Sequence, residues 1–169
     1  VLDARVARRR ENFARYKAAL SHPGIAFMPE PEGRHSTRWL TALTIDPTIA
    51  GVTREDIRLM LLEYQIESRP LWKPMHMQPL YAGAAYHGEG TDERLFANGL
   101  CVPSSSDMSD EQQDEVIELI TALLETTKYH RAAQQPDSDP HRCSKRAPTN
   151  LDQKGPACNL NEPAAQFVG

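Results

Sequence analysis

Leu2, Val6, Phe13, Tyr16 and Leu20 recur at helical spacing in VLDARVARRRENFARYKAAL, which predicts an amphipathic helix stopped by SHPG at 21–24. Neither a capping residue nor a methionine precedes it, so it is expected to continue a longer helix. IAFMP is a short strand candidate and PEPEGRHS a turn-rich connection. TRWLTALTI has the β-branched and aromatic content of a strand, ended by DPTIAG. Thr53 and Asp56 open a second helix in a capping-box pattern, with Ile57, Met60, Leu61 and Tyr64 as its inward stripe. IESRPL can pair as a strand only with Pro70 at an edge. TDERLFANG predicts a short helix capped by Thr91 and stopped at Asn98–Gly99, and LCVP a strand after it. Ser109 and Gln112 form a second capping box, and Asp110, Glu111, Asp114 and Glu115 suit the positive end of a helix dipole. That helix turns Val116, Ile117, Ile120, Leu123 and Leu124 inward.

After about Tyr129 the periodicity stops. The remaining segment has scattered prolines and almost no large apolar residues, so it cannot bury enough surface to offset its ordering entropy. Residues 1–128 therefore read as one domain and 129–169 as a disordered tail. The order of elements gives an α+β layer, a small and mostly antiparallel sheet with helices on one face. A core of this size is expected to leave part of the first helix's apolar face in need of a partner.

A chain of 169 residues suits one core rather than two. Its formal charge of −4 gives no field for nucleic acid or a membrane surface. Arg8, Arg9 and Arg10 are flanked by Asp3 and Glu11 and are expected on a solvated helix face. Cys101, Cys143 and Cys158 are odd in number and share no metal-ligand spacing. With no secretory leader and no long apolar run, a reducing cytoplasm is the expected compartment. Cys101, inside GLCVP, reads as a buried structural thiol.

There is no Gly-rich phosphate cradle, paired-cysteine motif or nucleophile elbow. His35, His76 and His87 are separated by long gaps. Polar chemistry concentrates instead in SRPLWKPMHMQP, where Pro70, Pro74 and Pro79 restrict the backbone and leave the side chains between them little entropy to lose. Arg69 offers a bidentate fork for a carboxylate or phosphate and Lys73 a point charge. Trp72 can cover an apolar or sugar surface, and His76 can donate and accept hydrogen bonds. The plainer reading is a surface connection whose Trp72 and Met75 seal the core. Arg38, on the strand beside Trp39, is a second carboxylate candidate, with a surface cation as its plainer reading.

IESRPLWKPMHMQPLYAG, followed by ERLFANGLCVPSSSDMSDEQQDEVIELI, resembles the C-terminal small domain of nucleotide-sugar aminotransferases of the DegT/DnrJ type. It is most similar to the enzymes that aminate UDP-linked 4-keto-6-deoxy-N-acetylhexosamines, as in bacillosamine synthesis. RRRENFARYKAAL and STRWLTALTID match the same domain's opening helix and first long strand, so the resemblance covers about residues 2 to 126. It implies the small domain of a fold-type-I aminotransferase dependent on pyridoxal phosphate, acting with an amino donor, glutamate, on a nucleotide-linked keto sugar. It also implies a dimer with shared active sites. In that family the cofactor-binding lysine belongs to a larger N-terminal domain, and no lysine of this chain sits in a matching motif. No cofactor is therefore expected to bind this chain alone, and no catalytic residue is assigned. Arg69, Trp72, Lys73 and His76 are the expected substrate contacts. A non-catalytic module that docks on a separate N-terminal half, and a truncated remnant, are the alternatives.

Overall fold

The structure, a computed structural model, describes residues 1–134, with side chains described as far as Thr127. Four strands form one sheet: β1 (Ile25–Phe27), β2 (Thr41–Ile45), β3 (Arg69–Pro70) and β4 (Gly99–Val102). Their spatial order is β1-β2-β4-β3, and every pairing is antiparallel. Pro70, which has no N–H to give a ladder, lies on the edge strand. Along β2 the side chains alternate: Thr41, Leu43 and Ile45 are buried, and Leu43 stands opposite Leu100 of β4.

Three helices cover that face. α1 (Leu2–Ala19) brings Phe13 and Tyr16, α3 (Arg54–Glu63) brings Ile57 and Leu61, and α5 (Asp110–Gln134) brings Val116, Ile120 and Leu124. Apart from Phe13, all of these join Leu43, Ile45, Leu100 and Val102 in one core cluster. Both predicted capping boxes are formed. Thr53 and Asp56 exchange bonds at the start of α3, and Ser109 and Gln112 do so ahead of α5.

Several expectations change. Tyr64 is 56% exposed rather than inward, because α3 ends at Glu63 and the chain turns there. Leu2 is exposed as well, so the buried stripe of α1 starts further along the helix. DPTIAG does more than end β2: Asp46 accepts from Thr48 N–H, Pro47 takes the first helical position, and a one-turn helix α2 (Pro47–Ala50) buries Ala50. In α4 (Thr91–Asn98) the cap is not Thr91 but Gly90, held in the left-handed region, while the Thr91 hydroxyl accepts from Arg94. The arginines of α1 are tethers rather than a solvated face. Arg8 binds Asp110 and the Met108 carbonyl, Arg9 the Trp39 carbonyl, and Arg10 the Glu30 carboxylate. Cys101 is buried, as expected, and burial pushes its thiol pKa up. α5 continues to Gln134, past the expected boundary at 128; the rest of the expected disordered tail lies outside the described residues.

The opposite face of the sheet is different in kind. Ala26, Ala42, Thr44, Gly99 and Cys101 alternate toward it by register. Leu71 and Leu95 reach over these small residues and, with Met28, enclose an almost wholly apolar cleft of about 350 Å³. Among the described residues no helix is long and apolar enough to cross a membrane.

Candidate functional site

The loop after β3 is shaped by its prolines. Two 3-10 turns, Met75–Met77 and Pro79–Tyr81, follow each other, each preceded by an extended residue, Pro74 and Gln78. Met77 N–H donates to the Pro74 carbonyl at 3.1 Å and Tyr81 N–H to the Gln78 carbonyl at 2.9 Å. The Gln78 side-chain amide donates to the Lys73 carbonyl at 3.1 Å. Bonds this short in sequence fix the loop locally, so its side chains need no core anchor. Trp72 is 68% exposed and Met75 56%, so neither seals the core. The plainer reading of the segment fails on that point.

His76 is the most firmly held of the expected contacts. Its Nε2 lies 2.8 Å from Glu93 Oε1 and its Nδ1 3.6 Å from Asp92 Oδ2, so both ring nitrogens face carboxylates. The Tyr86 ring lies against the imidazole, 3.9 Å between centroids. The Tyr86 hydroxyl accepts from Gly90 N–H at 3.2 Å and donates to Asp92 Oδ1 at 2.5 Å. That bond holds the Asp92 carboxyl below the usual carboxylate range and pushes the Tyr86 phenol up. Asp92 and Glu93 occupy the first turn of α4, where the helix dipole also favours their charge. Sequence reasoning missed Tyr86, Asp92 and Glu93, because their link to His76 spans ten to seventeen positions rather than one helical turn. The acidic pair opening α4 directly after YHGEG was the available signal.

Arg69, Trp72 and Lys73 form a separate group. Trp72 stacks on Trp39 with ring centroids 6.2 Å apart and planes at 28°. Arg69 pairs with Glu67 at 2.6 Å while remaining 76% exposed, and lines a cleft together with Trp39 and Arg9. Lys73 is exposed next to Trp72. Arg38 belongs to neither group and is not a surface cation. It is 6% exposed, lies ahead of β2, sits 3.7 Å above the Phe13 ring, and donates to the Met28 carbonyl at 2.8 Å. Glu30 stands 3.5 Å from it and takes two bonds from Arg10, at 2.8 and 3.0 Å.

A self-sufficient pyridoxal phosphate site needs an enclosed lysine and a carboxylate facing the pyridine nitrogen. The two lysines whose side chains are described, Lys17 on α1 and Lys73 on the loop, are both exposed. By themselves the described residues do not fit the cofactor. What they present is one clamped imidazole, one stacked indole pair and two exposed cations.

Comparison with known proteins bears on this geometry. The family model for the DegT/DnrJ/EryC1/StrS aminotransferase family matches residues 1–121. EpsN of Bacillus subtilis (strain 168), named as a pyridoxal phosphate-dependent aminotransferase, is 47% identical over 136 residues, covering 78% of this chain and 34% of EpsN. The chain thus spans about a third of the length of this relative. Among solved structures, the aminotransferase TlmJ of Streptoalloteichus hindustanus superposes with a TM-score of 0.64 at 26% identity, over 75% of this chain and 34% of TlmJ. DesI, solved in the presence of its TDP-sugar product, shares the fold with a TM-score of 0.66 at 20% identity, over 78% of this chain and 34% of DesI. From the family match and the shared fold together, the chain belongs to the DegT/DnrJ/EryC1/StrS aminotransferase family.

Proposed function

We propose that this chain is the small domain of an aminotransferase that moves an amino group from glutamate to a keto sugar linked to a nucleotide, in the cytoplasm. The observation that carries this reading is the clamp on His76. A polar side chain held by Glu93, Asp92 and Tyr86 on a proline-stiffened loop is set up to meet a substrate, not to stabilise a core. Arg69 and Lys73 then serve as handles for the substrate's anionic groups. The lysine that holds pyridoxal phosphate belongs, in this reading, to the part of the relatives that lies outside the matched segment. By itself the chain binds no cofactor and turns over no substrate. With that part, as a joined domain or in a dimer, it completes the site.

The test mixes the chain with a lysine-bearing region from a relative and follows amino transfer from glutamate. Restored transfer is expected, and His76→Ala should lower it roughly 10- to 100-fold, the scale of one hydrogen bond to a charged or strongly polar group. Two outcomes would sink the proposal. One is a stable lysine-bound cofactor absorbance in the chain alone; the other is restored transfer that is indifferent to His76. A second reading, a non-catalytic docking module, is favoured by the open apolar sheet face. It predicts that the chain changes a partner's activity equally with and without His76.

A further inference from the structure

The bonds that shape the loop after β3 lie within the loop: Met77 to Pro74, Tyr81 to Gln78, and the Gln78 amide to the Lys73 carbonyl. They fix its internal shape but cannot orient it against the sheet, which takes contacts with other elements. Pairing with β4 ends where Leu71 N–H donates to the Gly99 carbonyl at 3.1 Å. The next outside hold is His76, between Asp92 and Glu93. Across residues 72–75, the only hydrogen bond, ion pair or ring contact with another element, among the described residues, is the stack of Trp72 on Trp39. Lys73, one of the two handles proposed above, sits inside that stretch.

Trp39 is itself firmly held, by elements other than the loop. Arg38, with φ at +49°, occupies the left-handed region that non-glycine residues seldom adopt. The turn sends the Arg38 side chain inward to Glu30 and Phe13 and leaves the next residue, Trp39, pointing outward. The Trp39 carbonyl accepts from Arg9 of α1 and from the Ser104 hydroxyl after β4. Its indole then meets Trp72 at a centroid separation of 6.2 Å, inside the range that aromatic pairs prefer. Both rings are more than 60% exposed and neither belongs to the core cluster. A pair that adds nothing to the core, with one ring aimed by a strained turn, has the form of a brace.

We infer that Trp39 is a positioning residue for the substrate site, acting through Trp72 to hold the start of the loop so that Lys73 is presented from a fixed backbone. The role of Lys73 as a handle rests on the function proposed above; the brace rests on this geometry alone. Without the Trp39 ring, residues 72–75 must be ordered when substrate binds. Apparent affinity then falls with the fraction of molecules in which they already stand in place. An aromatic pair shifts such an equilibrium roughly 2- to 10-fold.

Trp39 and Trp72 are the chain's two tryptophans, so Trp39→Phe and Trp39→Ala each leave Trp72 as the sole indole emitter. In the full chain, time-resolved anisotropy should find Trp72 restrained in the Phe variant, which keeps a flat ring. In the Ala variant it should rotate freely on the nanosecond scale. Urea midpoints should agree within about 0.2 M, since neither ring is part of the core cluster. With a lysine-bearing region from a relative, Trp39→Ala should raise KM for the keto sugar roughly 2- to 10-fold and leave kcat nearly unchanged. Trp39→Phe should restore most of that loss, whereas a folding defect would lower the active fraction and with it kcat. Adding Trp39→Ala to Trp72→Leu should cost nothing further, because the brace is already gone. Equal Trp72 mobility in the Phe and Ala variants overturns the inference, and so do additive costs of the two tryptophan changes. Emission that follows protein concentration also overturns it, assigning the stack to contact between chains. Restored transfer with a KM indifferent to Trp39 sinks this inference alone. A Phe–Ala difference in Trp72 mobility without restored transfer leaves the brace standing and sinks the earlier function.

Discussion

Gly99 connects the fold to the candidate site, and replacing it with alanine isolates that connection. The residue follows α4 and begins β4 with φ −94° and ψ 139°, a conformation any residue adopts, so alanine carries no backbone penalty there. The cost is steric. A methyl group at Gly99 would stand 2.6 Å from Leu71 Cγ, and closer still to Leu71 Cδ1 and the Leu95 carbonyl oxygen. Leu71 can rotate, but the Leu95 carbonyl is helix backbone and must move with α4. Overpacking of this kind costs about 1–3 kcal/mol. At a urea dependence of about 2 kcal/mol per molar, the unfolding midpoint should fall by about 0.5–1.5 M. The strain also falls on the two elements that hold His76, since Leu71 opens the loop and α4 carries Asp92 and Glu93. Tryptophan emission should therefore shift in the folded state before any unfolding, because Trp72 follows Leu71. A midpoint within about 0.2 M of the parent, with unchanged emission, would refute the steric account.

Two further outcomes follow from the tethers. Hydrogen bonds from Arg10, and then from Ser36 N–H, lower the Glu30 carboxyl from 4.5 to about 2. A carboxyl depressed on folding stabilises the fold fully above its unfolded value and loses that contribution as pH falls through its folded value. Glu30→Gln should therefore lower stability at neutral pH, and the gap to the parent should close between about pH 4.5 and 2 in acid titrations followed by circular dichroism. A gap that persists unchanged at pH 2 would contradict the ion pair. Thr53→Ala removes one half of the α3 capping box and should cost about 1 kcal/mol, measured by urea unfolding. An unchanged midpoint would mean that tertiary packing alone holds that helix start.

What could be read from the residues alone was whatever depends on near neighbours. The stripes of α3 and α5, both capping boxes and the edge position of Pro70 follow from spacings of three, four or two, and the physics acts over those same distances. Asn98–Gly99 marked the helix end correctly but for a different reason. Gly99 is needed not for a left-handed turn but for the close approach of Leu71 and the Leu95 carbonyl. Arg69, Trp72, Lys73 and His76 stood out because three prolines and two cations in one loop are unusual. Their partners did not, since Glu93, Tyr86 and Trp39 reach them only after the sheet has closed. Arg38 changed most, from a surface cation to a buried one, because its surroundings are assembled from α1, the connection before β2 and Glu30. Short-range hydrogen bonding and periodicity are written in the order of the residues; which polar groups share a site is decided by how the elements pack.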